Sequence, residues 1–131
     1  MSISTREEIE QALPQFYGTE HYYLFNLLFT NLFLTDGANW LANHAGAWWL
    51  MDVIASHQPF NHLSSQPFQA WTIEVVDDRA TVTCDDGNGN VLLRQHIGYT
   101  DFPLPKFELW LEYAQDPNGD VYGVILLPSE H

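Results

Sequence analysis

Between residues 71 and 127 apolar and polar residues alternate in short runs, and each run ends in a cluster of Asp, Asn, Gly or Pro. No other feature narrows the fold as far, because a period of two places alternate side chains on opposite faces of a strand, whereas a helix needs a period near 3.6. Trp71, Ile73 and Val75 point one way, and Thr72, Glu74 and Val76 the other. Asp77-Asp78 turns the chain into a run over 80–84, and Asp85-Asp86-Gly87-Asn88-Gly89-Asn90 turns it again into 91–97. Phe107, Leu109 and Leu111 then alternate with Glu108, Trp110 and Glu112. Asp116-Pro117-Asn118-Gly119 leads into 121–127, a run apolar enough near its end for an interior position in a sheet. The spacing predicts about five strands joined as an antiparallel meander.

Before residue 60 the signals are helical. Ser4 or Thr5, followed three residues later by Glu7 or Glu8, is a capping-box pattern, and Ile9 with Leu13 supplies an apolar face that Pro14 ends. Phe16-Tyr17-Gly18 reads as a turn, and Thr19 as the cap of a second short helix through Glu20, His21 and Tyr22. Residues 20–33 read two ways: as a helix with Asn26 and Thr30 on one face, or with residues 29–34 as a mostly buried strand. We take a helix that gives way to an extended segment. Asp36 reads as an N-cap flanked by Thr35 and Gly37, opening a helix with Trp40, Leu41 and Ala45 that Gly46 terminates. Trp48, Trp49, Met51, Ile54 and Ala55 are apolar around most of a further, central helix, which Ser56, His57 and Pro59 stop. Helices first and strands second define the α+β class, with N-terminal helices packed on one face of the meander and residues 1–131 forming one domain.

Composition limits the function classes. Hydrophobic residues make up 46% of the 131 and aromatics 15%, a composition that forms a packed core. Seventeen acids face four Lys and Arg, a formal charge of -13. Such a chain repels phosphate backbones, so direct nucleic-acid binding is not expected, whereas a basic protein partner would be attracted. The same charge favours solubility. A single cysteine, Cys84, cannot close an internal disulfide, the first ten residues lack the apolar core of a signal peptide, and no apolar run reaches the roughly 20 residues of a membrane span. A cytoplasmic location off the membrane is the expectation, and a symmetric dimer through the aromatic or strand surface is compatible with the sequence.

Candidate chemistry is sparse. His44 and His57 lie on adjacent helices near Asp52, with His62 beyond, but no pair has metal-binding spacing, so neither metal nor cofactor is expected. Cys84 neighbours Asp85 and Asp86, whose charge raises a thiol pKa and suppresses the thiolate. The Asp85–Asn90 stretch lacks the length and terminal Glu of a calcium loop and reads as turn chemistry. Trp40, Trp48 and Trp49, with Tyr17, Tyr22 and Tyr23 nearby, are the residues to examine for a ligand pocket or partner groove.

Several blocks carry a resemblance. Phe16-Tyr17-Gly18-Thr19-Glu20-His21-Tyr22-Tyr23, Thr35-Asp36-Gly37, Ala45-Gly46-Ala47-Trp48-Trp49-Leu50 with Asp52 and Ile54-Ala55-Ser56, Thr100-Asp101-Phe102-Pro103-Leu104-Pro105 and Leu127-Pro128-Ser129-Glu130 resemble, in that order, an uncharacterised bacterial family of small single-domain proteins. The resemblance implies no activity. Two functions compete: a non-catalytic binding or regulatory module with an acidic surface for a basic protein, which we favour, and a small enzyme or small-ligand binder with a pocket near Trp48, Asp52, His57 and Asp101.

Overall fold

Every alternating run of the second half folds as a strand in a computed structural model, which describes residues 4–26, 31–60 and 63–131. They are β3 (Phe68–Val76), β4 (Arg79–Asp85), β5 (Val91–Ile97), β6 (Lys106–Gln115) and β7 (Val121–Leu126). Two further strands, β1 (Tyr22–Asn26) and β2 (Asn31–Thr35), bring the sheet to seven among the described residues, in the order β1-β2-β7-β6-β3-β4-β5. The helices are α1 (Arg6–Ala12), α2 (Asp36–His44) and α3 (Trp48–His57), and the class is mixed α+β.

The helix expected to begin at residue 20 is absent among the described residues: Tyr22–Asn26 and the segment expected to be extended, Asn31–Thr35, are strands, with Tyr23 opposite Leu34 in an antiparallel pair. Residues 27–30 lie outside the described residues. The cause is distant in sequence. β2 runs parallel to β7, with Leu32 beside Gly123 and Leu34 beside Ile125, and both leucines are buried. Gly123 makes room for this, since a β-carbon there would sit 2.7 Å from the Leu32 side chain. Burial every second residue fixes a strand register that a nearly all-apolar run conceals.

The meander is also corrected. β3, β4 and β5 are joined by hairpins, but β6 pairs antiparallel with β3, from Phe68↔Glu112 to Glu74↔Lys106, and not with β5. The chain therefore returns over residues 98–105, and three features hold this crossing. Thr100 N–H donates to the Asp78 carbonyl at 2.7 Å, Val75 N–H donates to the Pro105 carbonyl at 2.8 Å, and Phe102 and Leu104 are buried. The Asp77-Asp78 turn has φ of 51° and 62°, the left-handed pair that a two-residue hairpin needs.

Local helix signals act as read at the N-terminus. The Thr5 hydroxyl accepts from Glu8 N–H and the Glu8 carboxylate from Thr5 N–H, closing a capping box before a 3-10 turn at Leu13–Gln15 takes Pro14. Opposed residues on one sheet face, among them Leu34, Trp71, Ile73, Val82, Cys84, Leu109, Leu111 and Ile125, join Ile9, Leu41, Leu50, Met51 and Ile54 of the helices in one buried cluster. Within it Gln58 and Gln69 face each other, exchanging side-chain amide bonds at 3.0 and 2.9 Å. Trp71 Nε1 and the Tyr113 hydroxyl donate to the same pair, so α3, β3 and β6 meet at one fully bonded polar point. No described helix is long and apolar enough to cross a membrane.

Candidate functional site

A cleft of about 720 Å³ opens between the turn after α1, strand β1 and the first two turns of α2. Its position follows from how α2 begins. Thr35, not Asp36, is the N-cap: its hydroxyl accepts from Ala38 N–H at 3.2 Å, which leaves Asp36 as the first helical residue with its carboxylate turned outward. Asp36 N–H donates to the Thr19 hydroxyl at 2.9 Å, and Glu20 N–H donates to the Asp36 carboxylate at 2.9 Å. These reciprocal bonds stitch the Gly18-Thr19-Glu20 turn to the helix start and form one wall of the cleft.

The opposite side of the helix start is closed by the C-terminal turn. The Glu130 carboxylate accepts from the Thr35 hydroxyl at 2.6 Å, Gly37 N–H at 3.0 Å and Leu127 N–H at 2.9 Å. Gly37 is required by this approach, because a β-carbon there would lie 2.6 Å from Glu130 Oε1 and from Leu127. Acid at a helix N-terminus is favourable on electrostatic grounds as well. The Thr35-Asp36-Gly37 and Leu127-to-Glu130 blocks thus meet in space and build the frame of the site.

Aromatic rings supply the remaining walls. Trp40 stacks on His44 with centroids 4.3 Å apart and touches Phe16 at 5.8 Å, while Tyr17 stands 84% exposed at the mouth. Tyr23 hydrogen-bonds Asp36. The Glu20 backbone bond foremost, then Tyr23, the nearby His21 and Thr19, hold the Asp36 carboxyl below the usual aspartate range. Partial burial, and then Asp36 itself, push the Tyr23 phenol up. The cleft therefore presents an ionised carboxylate among aromatic faces, and its lining contains neither Lys nor Arg.

The residues singled out around α3 are distributed differently. Trp48, 37% exposed, stacks on Phe25 and donates from Nε1 to Asn43 at 3.2 Å. Asp52 is exposed on α3, and Asp101 is exposed in the crossing at 98–105. His57 is half-buried, stacks near Trp71 and donates from Nε2 to Gln95 at 2.6 Å, which ties α3 to β5. Neither the α2 cleft nor two further clefts along the sheet take lining from these four residues. His44 packs on Trp40 and contacts Ser4, apart from His57, and His62 lies outside the described residues. Among the described residues no three of His, Cys, Asp and Glu gather as metal ligands. Cys84 is buried, and burial first, then Asp85 and Asp86, push its thiol up to about 12. Of the aromatic set read from sequence, Tyr17, Tyr23 and Trp40 line the cleft. In the sequence Asp36 reads first as a cap.

Fold and site together define a mixed α+β protein with a sheet of seven strands among the described residues and a surface cleft built at the start of α2. The chain belongs to DUF6876, a family of unknown function whose model matches residues 7–131. A protein of unknown function from Enterococcus faecalis, known from a crystal structure, has a similar fold. The TM-score is 0.51 at 15% sequence identity, covering 82% of this chain and 98% of that one. No curated protein matches the chain in sequence.

Proposed function

We propose that this chain is a binding module whose α2 cleft receives a basic side chain of a protein partner. The observation that carries the reading is the pairing of an ionised Asp36 with the rings of Tyr17, Tyr23 and Trp40 in a lining without Lys or Arg. An ammonium or guanidinium group seated there gains a charge-assisted bond to the carboxylate and attraction to the ring faces, the latter about 0.5–1 kcal/mol at an exposed site. The formal charge of -13 speeds encounter with such a partner. Complementarity at the cleft then selects the residue that docks.

The test is an NMR titration with a short arginine-containing peptide and with its citrulline counterpart, which keeps the shape and loses the charge. Amide shifts are expected at Tyr17, Tyr23, Asp36 and Trp40 with the arginine peptide alone. Tyr17→Ala and Asp36→Asn should each weaken binding by about threefold to tenfold. Tyr17 is 84% exposed, so its loss leaves the core intact. Shifts confined to the acidic hairpin tips and indifferent to both substitutions would remove the reading.

A further inference from the structure

Arginine is scarce in this chain: Arg6, Arg79 and Arg94, with Lys106, are set against seventeen acids. Arg6 pairs with Glu10 on α1. Arg79 and Arg94 instead line one open cleft of about 1120 Å³ on the sheet face turned away from the buried cluster. Pairing register places them on one face. Thr83 lies opposite Arg94 and Thr81 opposite His96, so two hydroxyls, an imidazole and a guanidinium face outward on neighbouring strands, with Arg79 at the start of the same β4 row. Thr81 Oγ1 is 3.2 Å from His96 Nδ1.

Among the described residues neither guanidinium forms an ion pair, although Glu74 and Asp77 line the same cleft. Each planar fork is therefore free to donate two parallel bonds to a tetrahedral oxyanion. We propose that this cleft is a second binding site, independent of the one at α2, and that its ligand is a small phosphate-type anion, free or as a phosphomonoester. Charge selects the size of the occupant. A long polyanion reaching beyond the cleft meets a molecule of net charge -13, whereas a small anion is bounded by Arg79, Arg94, His96 and the two threonines. Glu74, opposite Thr81 in the register of β3 and β4, and Asp77 line the same cleft, oppose further negative charge and accept hydrogen bonds from hydroxyl or amino groups on the rest of the ligand.

The experiment is a titration of the protein with inorganic phosphate, read by amide shifts, beside a chloride titration of equal ionic strength. Saturable shifts at Arg79, Thr81, Thr83, Arg94 and His96 are expected with phosphate alone. Arg79→Gln or Arg94→Gln should each weaken binding by about tenfold or more, the loss of one guanidinium's charge-assisted bonds, while Arg6→Gln leaves it unchanged. Both arginines are exposed, and unperturbed shifts elsewhere certify the fold of each variant. Equal shifts with chloride, phosphate binding that survives the double substitution, or tighter binding of a short oligodeoxynucleotide than of phosphate would each overturn the proposal.

Discussion

Asp36 shows how one residue serves fold and site together. Its backbone begins α2, its N–H holds Thr19, and its carboxylate is held ionised by Glu20 N–H and Tyr23. Glu8 in the capping box and Asp86 in the turn after β4 are likewise held below the ordinary carboxyl range by hydrogen bonds. A carboxyl more acidic in the folded chain than in the unfolded one contributes stability that is fully present above its unfolded pKa and is lost as pH falls through the folded value. For Asp36 that window lies below 3.8, the ordinary aspartate value. Stability measured by urea midpoint should therefore drop on acidification below about pH 4, and Asp36→Asn should lower the plateau near neutrality while flattening the acid limb. An acid limb identical in the two proteins would show that the ionisation of Asp36 adds nothing to folding.

At the scale of elements, legibility followed the range of the interaction. Capping of α1 by Thr5 and Glu8, the span of α3 and all five strands of the second half rest on neighbours in sequence, and each was readable there. β1 was not, and β2 was legible only as an extended end to a helix, because the partner that makes a strand of Leu32 and Leu34 is β7, some ninety residues away. The place of β6 beside β3 was hidden for a similar reason: the alternation of Phe107, Leu109 and Leu111 sets a face and leaves the neighbour undefined. At the cleft, aromatic content pointed to Trp40, Tyr17 and Tyr23, while the bond between Glu20 N–H and Asp36 had no sequence signature. Nor did the contact between Gln58 and Gln69. Both are buried, and they satisfy each other, Trp71, Tyr113 and the Ile54 and Leu63 carbonyls. Gln69→Leu removes both bonds between the two amides and leaves the Trp71 N–H and the Leu63 carbonyl without their side-chain partner in the core, and should cost about 2–4 kcal/mol in chemical denaturation. Gln58→Leu should cost a similar amount. The double variant should cost less than the two single losses added together, since each single change already breaks the shared bonds. Strict additivity would show that the two amides do not act as a unit.

Over the whole molecule the acids are placed by the turns. Asp85 accepts from Gly87 N–H, Asp86 from Asn88 and Asn90, and Asp116 from Asn118 and Asp120, so much of the negative charge sits at hairpin tips holding backbone donors. Asp77 and Asp78 differ, for both are exposed and both carry a positive φ that is easiest for Gly and strained to some degree for any residue with a β-carbon. Two terms therefore oppose folding at that turn: backbone strain, and the repulsion of adjacent carboxylates within a chain of net charge -13. They separate by ionic strength, because salt screens charges beyond about 10 Å at 0.1 M and leaves dihedral strain untouched. Asp77→Asn with Asp78→Gly keeps the hairpin and removes both terms. Its gain should be about 1–2 kcal/mol in dilute buffer, falling toward about 1 kcal/mol in 0.5 M NaCl as the electrostatic part is screened and the conformational part remains. The unaltered protein should meanwhile rise in melting temperature over the same range of salt. A gain that stays constant with salt would place the effect in the backbone alone, and a stabilisation that vanished in high salt would make the turn a matter of charge.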